Sequence, residues 1–196
     1  TIAGNSKIKS LNIPKQSFVH TTPEIIQRIK YLKNKYKYND TLNKYQIKNN
    51  SIDLISNFSF SDADIILIEI SSRKLILSNG DYLHWNNSIS VVKKIGTEFS
   101  SLWLKSLSNK FKDGGGKIIN FDVSNHLDFL SSQELRIISS IEAKKQKIIE
   151  LERDMEEINN LTNGKVIFVS HINVLNKNLV SIKPREELIN ALKDIC

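Results

Sequence analysis

Asp64-Ile65-Ile66-Leu67-Ile68-Glu69-Ile70 is an almost unbroken apolar run that stops at Ser71-Ser72-Arg73. Seven residues suit a strand better than a helix, and continuous apolarity is expected of a strand covered on both faces of a parallel sheet. Lys165-Val166-Ile167-Phe168-Val169-Ser170 and Lys117-Ile118-Ile119-Asn120-Phe121-Asp122-Val123 read the same way, and shorter strands are expected at Ser17–Thr21 and at the tail Thr1–Ala3. Helical periodicity separates them. Thr22 caps a helix with Pro23 at its first position and Glu24 in its first turn, and Ile25, Ile26, Ile29 and Leu32 form its apolar stripe. Residues 87–110 read as a second helix, and a last helix starts at Pro184. Strands alternating with helices predict an α/β domain whose parallel sheet has helices on both faces.

Two features depart from that alternation. Ser78-Asn79-Gly80-Asp81 lies between β-rich runs at 75–77 and 82–85, and Asn-Gly there predicts a hairpin, expected to project from the sheet. From 132 to 160 the apolar residues Ile137, Ile141, Ile148, Leu151, Met155 and Ile158 fall near a heptad, broken by Lys144. One helix of about 29 residues would be about 43 Å long. That exceeds what a small sheet needs, so it is a candidate surface for a homodimer or a docked partner. Gly114-Gly115-Gly116 reads as a loop without the Lys-Ser/Thr of a phosphate site.

At 196 residues the chain suits one domain, 1–196. Met155 is the only methionine, so either an initiator was removed before Thr1 or the chain is a piece of a longer polypeptide. No apolar run reaches the ~18–20 residues of a membrane span. Cys196 is the only cysteine, which excludes an internal disulfide and a cysteine-based zinc site and fits a reducing cytoplasm. The net charge of +7 raises nucleic acid as a partner, but the lysines crowd into 7–48 while 132–160 mixes both signs. Nucleic acid is therefore the least favoured partner. No carboxylate–histidine cluster has metal-ligand spacing, so no metal is expected.

Placing the strand ends on one edge gathers Gly4-Asn5-Ser6, His20-Thr21-Thr22, Ser71-Ser72, Ser124-Asn125-His126 and Ser170-His171-Ile172-Asn173. Open α/β sheets collect their chemistry at that edge. A nucleophilic serine needs a base and amide donors for an oxyanion. Ser6 fits the first role, with its own N–H and the Asn5 amide as donors. His171 is the first choice of base and His20 its competitor. Each group also has an ordinary structural use: a turn at Gly4–Ser6, a helix cap at His20, local backbone bonding at Ser71 and Ser72. Asp81 and His84 match an Asp-x-x-His spacing, but residues i and i+3 of a strand face opposite sides. Asp122 and His126 form a weaker pair.

The order of Ala3-Gly4-Asn5-Ser6, the 65–70 strand ending in Ser71-Ser72, and Val169-Ser170-His171-Ile172-Asn173 resembles the SGNH/GDSL-like hydrolase superfamily and its carbohydrate-active relatives linked to bacterial surface polysaccharide. That resemblance implies a three-layer α/β/α sandwich with a roughly five-stranded, mainly parallel sheet. It implies a serine-dependent O-acyl esterase or O-acyltransferase acting on a surface polysaccharide or its precursor, with no cofactor. Ser6 and His171 would be catalytic, and Gly4, Asn5, His20, Thr21, Ser71, Ser72 and Asn173 would bind substrate. The expected location is cytoplasmic, peripheral at the inner membrane face. Two departures stand out. Ser71-Ser72-Arg73 replaces the family's Gly-x-Asn block, and no Asp-x-x-His block closes the chain. The alternatives are a catalytically silent glycan-binding or scaffolding module of a larger biosynthetic enzyme, and a nucleotide-sugar transferase domain.

Overall fold

The computed structural model describes residues 19–37, 40–46, 65–118, 131–170 and 183–195. In chain order these form α1 (Thr22–Leu32), α2 (Asn43–Gln46), β1 (Ile66–Ile70), β2 (Lys74–Ser78), β3 (Asp81–Tyr82) and α3 (Trp85–Lys93). They continue with α4 (Thr97–Lys112), β4 (Gly115–Lys117), α5 (Ser132–Ser140), β5 (Ile141–Lys145), α6 (Ile148–Leu161), β6 (Val166–Ser170) and α7 (Lys183–Ile195). The protein is α/β, but its described strands divide into two sheets. β1 and β6 pair in parallel, Ile66 opposite Val166 through Ile70 opposite Ser170. The other four form an antiparallel sheet in the order β3-β2-β5-β4. A single, mainly parallel sheet of about five strands is not the arrangement of the described residues.

Each sheet has its own core. Ile68 and Ile70 of β1 pack with Ile25, Ile26 and Ile29 of α1, Leu151, Met155 and Ile158 of α6, and Leu188 of α7. The periodic stripe on α1 therefore does what its 3.6 spacing predicts. β1 is not covered on both sides, however: Leu67 and Glu69 are exposed, as are Ile167 and Val169 on β6. The second core centres on Trp103 and Leu107 of α4, fully buried against Ile76, Leu83, Ile138 and Ile141.

The hairpin forms at the residues expected. Asn79 and Gly80 have φ of 52° and 89°, the paired positive values of a type I′ turn, and Ser78 sits opposite Asp81. It does not project, because β2 also pairs along its whole length with β5, from Lys74 opposite Lys145 to Ser78 opposite Ile141.

β5 is also what breaks the long helix expected at 132–160. α5 starts at a capping box: the Glu134 N–H donates to Ser131 Oγ at 3.2 Å, and the Ser131 N–H donates to Glu134 Oε2 at 2.6 Å. It ends where the Ser139 and Ser140 hydroxyls donate back to the Leu135 and Ile137 carbonyls. In β5, Ile141 and Ala143 are buried while Glu142 and Lys144 are half-buried, a period of two. Ladder bonds to β2 and β4 override the helix preference of Glu, Ala and Lys. Five of the six apolar residues expected to dock a partner pack inside the chain instead, Ile137 and Ile141 in one core and Leu151, Met155 and Ile158 in the other, while Ile148 is exposed.

Two smaller corrections follow the same logic. The helix expected at 87–110 is two helices, with Gly96 the N-terminal cap of the second. The glycine triplet is not all loop, since Gly115 and Gly116 belong to β4. A Cβ on Gly115 would lie 2.7 Å from the Ala143 carbonyl oxygen, so the approach of β4 to β5 needs a residue with no side chain. The strand expected at 117–123 lies mostly outside the described residues.

The two cores are clasped at α1. The Gln27 side chain donates to the Tyr82 carbonyl at 3.0 Å and accepts from the Tyr82 N–H at 2.8 Å, completing the backbone bonding of β3. Beyond β5, the Gln146 N–H donates to the Arg73 carbonyl at 2.8 Å. Polar side chains collect along this seam.

Candidate functional site

Of the residues singled out in the sequence, Gly4, Asn5, Ser6, His171 and Asn173 lie outside the described residues, as do Asp122 and His126. The others converge. Ser71 follows β1, and His20 precedes α1, whose first-core packing holds both segments together. The His20 carbonyl accepts from the Ser71 and Ser72 N–H groups at 3.1 and 3.0 Å. This backbone clamp brings His20 Nδ1 to 3.1 Å from Ser71 Oγ, which is also 3.3 Å from the His20 carbonyl oxygen. Asn86 Nδ2, in the first turn of α3, lies 3.4 Å from His20 Nε2. The His84 ring is tilted beside that of His20, with centroids 4.9 Å apart.

The proton on the imidazole decides what this cluster can do. With Nδ1 protonated, His20 donates to Ser71 Oγ, the Ser71 hydroxyl donates to the His20 carbonyl, and Asn86 donates to Nε2. That arrangement is structural. With Nε2 protonated, Nδ1 accepts from the Ser71 hydroxyl and the Asn86 amide turns so that its oxygen accepts from Nε2–H. The same heavy atoms then form a serine–base pair oriented by a third group.

The remaining two expected residues have local partners. Thr21 is buried and its hydroxyl donates to Glu24 Oε1 at 3.0 Å; Ser72 Oγ accepts from the Lys74 N–H at 3.0 Å. Asp81 and His84 do not act together: Asp81 accepts from the Tyr36 hydroxyl, while His84 Nδ1 accepts from the Asn87 N–H as the cap of α3.

Glu24 lies directly beneath His20. Its Oε2 accepts from the His20 N–H at 3.3 Å. Burial pushes its carboxyl up to about 7, against the opposing pull of the His20 N–H, the Thr21 hydroxyl and the Arg28 charge. The sequence marked this residue only as a first-turn acid on α1.

Two residues along from His20, within about 7 Å of backbone, Thr22 opens a second polar cluster. Its hydroxyl donates to Asp154 Oδ2 at 2.8 Å and accepts from Gln146 Nε2 at 2.8 Å; that amide also donates to Asp154 at 2.6 Å. Burial raises the Asp154 carboxyl, opposed first by the Thr22 hydroxyl. Gln146 and Asp154 border a cleft of about 190 Å³ with Tyr82, Lys144, Glu150 and Arg153, and Pro23 and Leu75 complete its wall. Lys144 Nζ sits 2.7 Å from Glu150 Oε1, a hydrogen bond that raises the lysine and lowers the glutamate.

Over residues 2–196 the chain matches the model of the TviD N-terminal domain. It belongs to that family. Membership sets it in the context of bacterial surface-polysaccharide biosynthesis and lends no support to the SGNH/GDSL resemblance. No curated protein and no solved structure matches the chain. Among the described residues, no group of three His, Cys, Asp or Glu side chains could hold a metal. Nor is any described helix long and apolar enough to cross a membrane.

Sequence reasoning missed Asn86, Gln146 and Asp154. Asn86 carries no signal beyond its place after the hairpin. Gln146 and Asp154 were hidden by reading 132–160 as one helix, which gave no reason for Gln146 to leave it toward Arg73.

Proposed function

We propose that this domain acts on O-acyl esters of a bacterial surface polysaccharide or its precursor, with Ser71 as nucleophile and His20 as base. The carrying observation is the 3.1 Å separation between His20 Nδ1 and Ser71 Oγ, a hydrogen-bonding distance for proton transfer. In this reading the Ser71 oxygen attacks the acyl carbonyl as its proton passes to Nδ1. The tetrahedral intermediate collapses as that proton moves to the departing alcohol, leaving the acyl group on Ser71. Water then completes an esterase cycle, or a sugar hydroxyl completes a transfer. His20 takes the proton of the incoming group and returns it to Ser71. This is the chemistry implied by the hydrolase resemblance, moved from Ser6 to Ser71. Ser6 and His171 stand as the alternative nucleophile and base. The surface-polysaccharide context of the family supports the substrate class, and the lone Cys196 supports a cytoplasmic site.

A second reading, a glycan-binding module without turnover, is favoured by one observation. Both N–H groups nearest the serine, those of Ser71 and Ser72, are engaged by the His20 carbonyl and so cannot serve an oxyanion. Hydrolysis of p-nitrophenyl acetate and acetate release from an O-acetylated polysaccharide separate the readings. Turnover lost in Ser71→Ala and His20→Gln but kept in Ser6→Ala supports the Ser71 assignment. The reverse pattern moves the chemistry to Ser6. Polysaccharide binding without turnover by the unaltered chain leaves the module.

A further inference from the structure

We infer that Asn86 is a positioning residue for His20, turning its amide oxygen to a proton on Nε2 and so leaving Nδ1 open to the Ser71 hydroxyl. This deepens the serine–histidine reading above and rests on it for the chemistry, although the hydrogen-bond argument that carries it needs no turnover.

Acceptor capacity and distance together place the proton. A backbone carbonyl oxygen has two lone pairs. Those of the His20 carbonyl are met by the Ser71 and Ser72 N–H groups at 3.1 and 3.0 Å. The Ser71 hydroxyl would be a third donor to that oxygen, and its 3.3 Å separation lies beyond the roughly 2.5–3.0 Å of an O–H···O bond. His20 Nδ1 is nearer, at 3.1 Å, with its in-plane lone pair to offer. The hydroxyl therefore donates to Nδ1. A neutral imidazole whose Nδ1 accepts carries its proton on Nε2.

That proton needs an acceptor, and the Asn86 amide lies 3.4 Å from Nε2. Two N–H donors cannot bond each other, and the two ends of an amide exchange places by a half-turn of the side chain. The Asn86 oxygen accordingly faces Nε2–H. The fold fixes it there from the opposite core. Buried His84 caps α3 by accepting from the Asn87 N–H, and the Ser90 hydroxyl donates to the Asn86 carbonyl at 2.9 Å, so Asn86 stands in an anchored first turn. Val91 and Val92 root α3 in the second core, whereas α1 and β1, which flank His20 and Ser71, pack in the first. The pair comes from one core and the group that orients its imidazole comes from the other. When Nδ1 takes the serine proton, the amide oxygen also meets the charge that develops at Nε2–H.

The test is proton–nitrogen NMR of the His20 ring in the intact chain, assigned against His20→Gln. With the ring neutral, the proton is expected on Nε2. Asn86→Ala should speed its exchange with water about fivefold, the net worth of one neutral hydrogen bond. Asn86→Asp restores an acceptor on the same stem, so it should return the slow exchange and keep His20 protonated to higher pH. Asn86 is exposed and second in α3, where an acid is favourable, so both variants keep the fold. Glu24 and His84, the titratable groups beside His20, are the same throughout. A proton on Nδ1 in the unaltered chain, or exchange at Nε2 indifferent to Asn86→Ala, overturns the inference. p-Nitrophenyl acetate turnover is read separately: kcat should fall in Asn86→Ala and recover in Asn86→Asp, with KM nearly constant. The expected NMR pattern without turnover in any protein removes only the catalytic reading. Turnover that needs Ser71 and His20 but ignores Asn86 removes only this one.

Discussion

Replacing Glu24 by Gln should change how stability responds to pH. The Glu24 carboxyl is buried under His20 and its pKa rises from 4.5 to about 7. Below pH 4.5 it is protonated in both the folded and unfolded chain. Between 4.5 and 7 only the folded protein holds the proton, so unfolding releases it and stability falls as pH rises. Above 7 the full penalty is present, about 3 kcal/mol for that separation. Glu24→Gln keeps the shape and a carbonyl acceptor for the His20 N–H but has no charge to bury. Urea unfolding at pH 4 and pH 8 should show the variant gaining on the unaltered protein by about 3 kcal/mol between the two. Asp154, also raised, adds to the fall with pH, while the lowered Glu150 and Glu187 oppose it. These contributions are common to both proteins and cancel in the comparison. Equal pH dependence in the two proteins would refute the burial argument for Glu24.

Other substitutions test the fold that holds the seam. Gly115→Ala should destabilise by about 1–3 kcal/mol, because its Cβ meets the Ala143 carbonyl at 2.7 Å and its φ is +120°; an unchanged unfolding midpoint would contradict the β4–β5 pairing. Ser131→Ala removes the cap of α5 and should cost about 1 kcal/mol by denaturant titration. Trp103→Ala empties the centre of the second core and should cost about 3–5 kcal/mol, seen as a lowered thermal midpoint. Lys144→Ala breaks a partly exposed ion pair with Glu150 and should shift stability by no more than about 1 kcal/mol.

Much of the architecture was legible where the signal is local. The stripe Ile25, Ile26, Ile29 needs only its own spacing to declare α1, and Pro23 marks the helix start. Asn79-Gly80 specifies a type I′ turn because few other residue pairs tolerate two positive φ values. The parallel strands at 66–70 and 166–170 were visible as apolar runs, and they do pair. The serine–histidine juxtaposition was half visible: Ser71 and His20 were both expected at strand ends, but residues 19–21 form no strand, and the pairing depends on a clamp at the His20 carbonyl that no spacing encodes.

The amino-acid order alone settled the short-range matters: an α/β composition, the cap and face of α1, the hairpin turn, and apolar strands that stop at hydroxyl-bearing residues. Only the folded chain decided whether Ile141–Lys145 was helix or strand, because its neighbours β2 and β4 lie more than sixty and more than twenty residues away, and their ladder bonds outweigh local helix preference. Turning those five residues into a strand delivered Gln146 to the seam, where its amide nitrogen donates to Thr22 and Asp154. Contacts that distant leave no periodic trace in the chain, so they emerge only when the packing is complete.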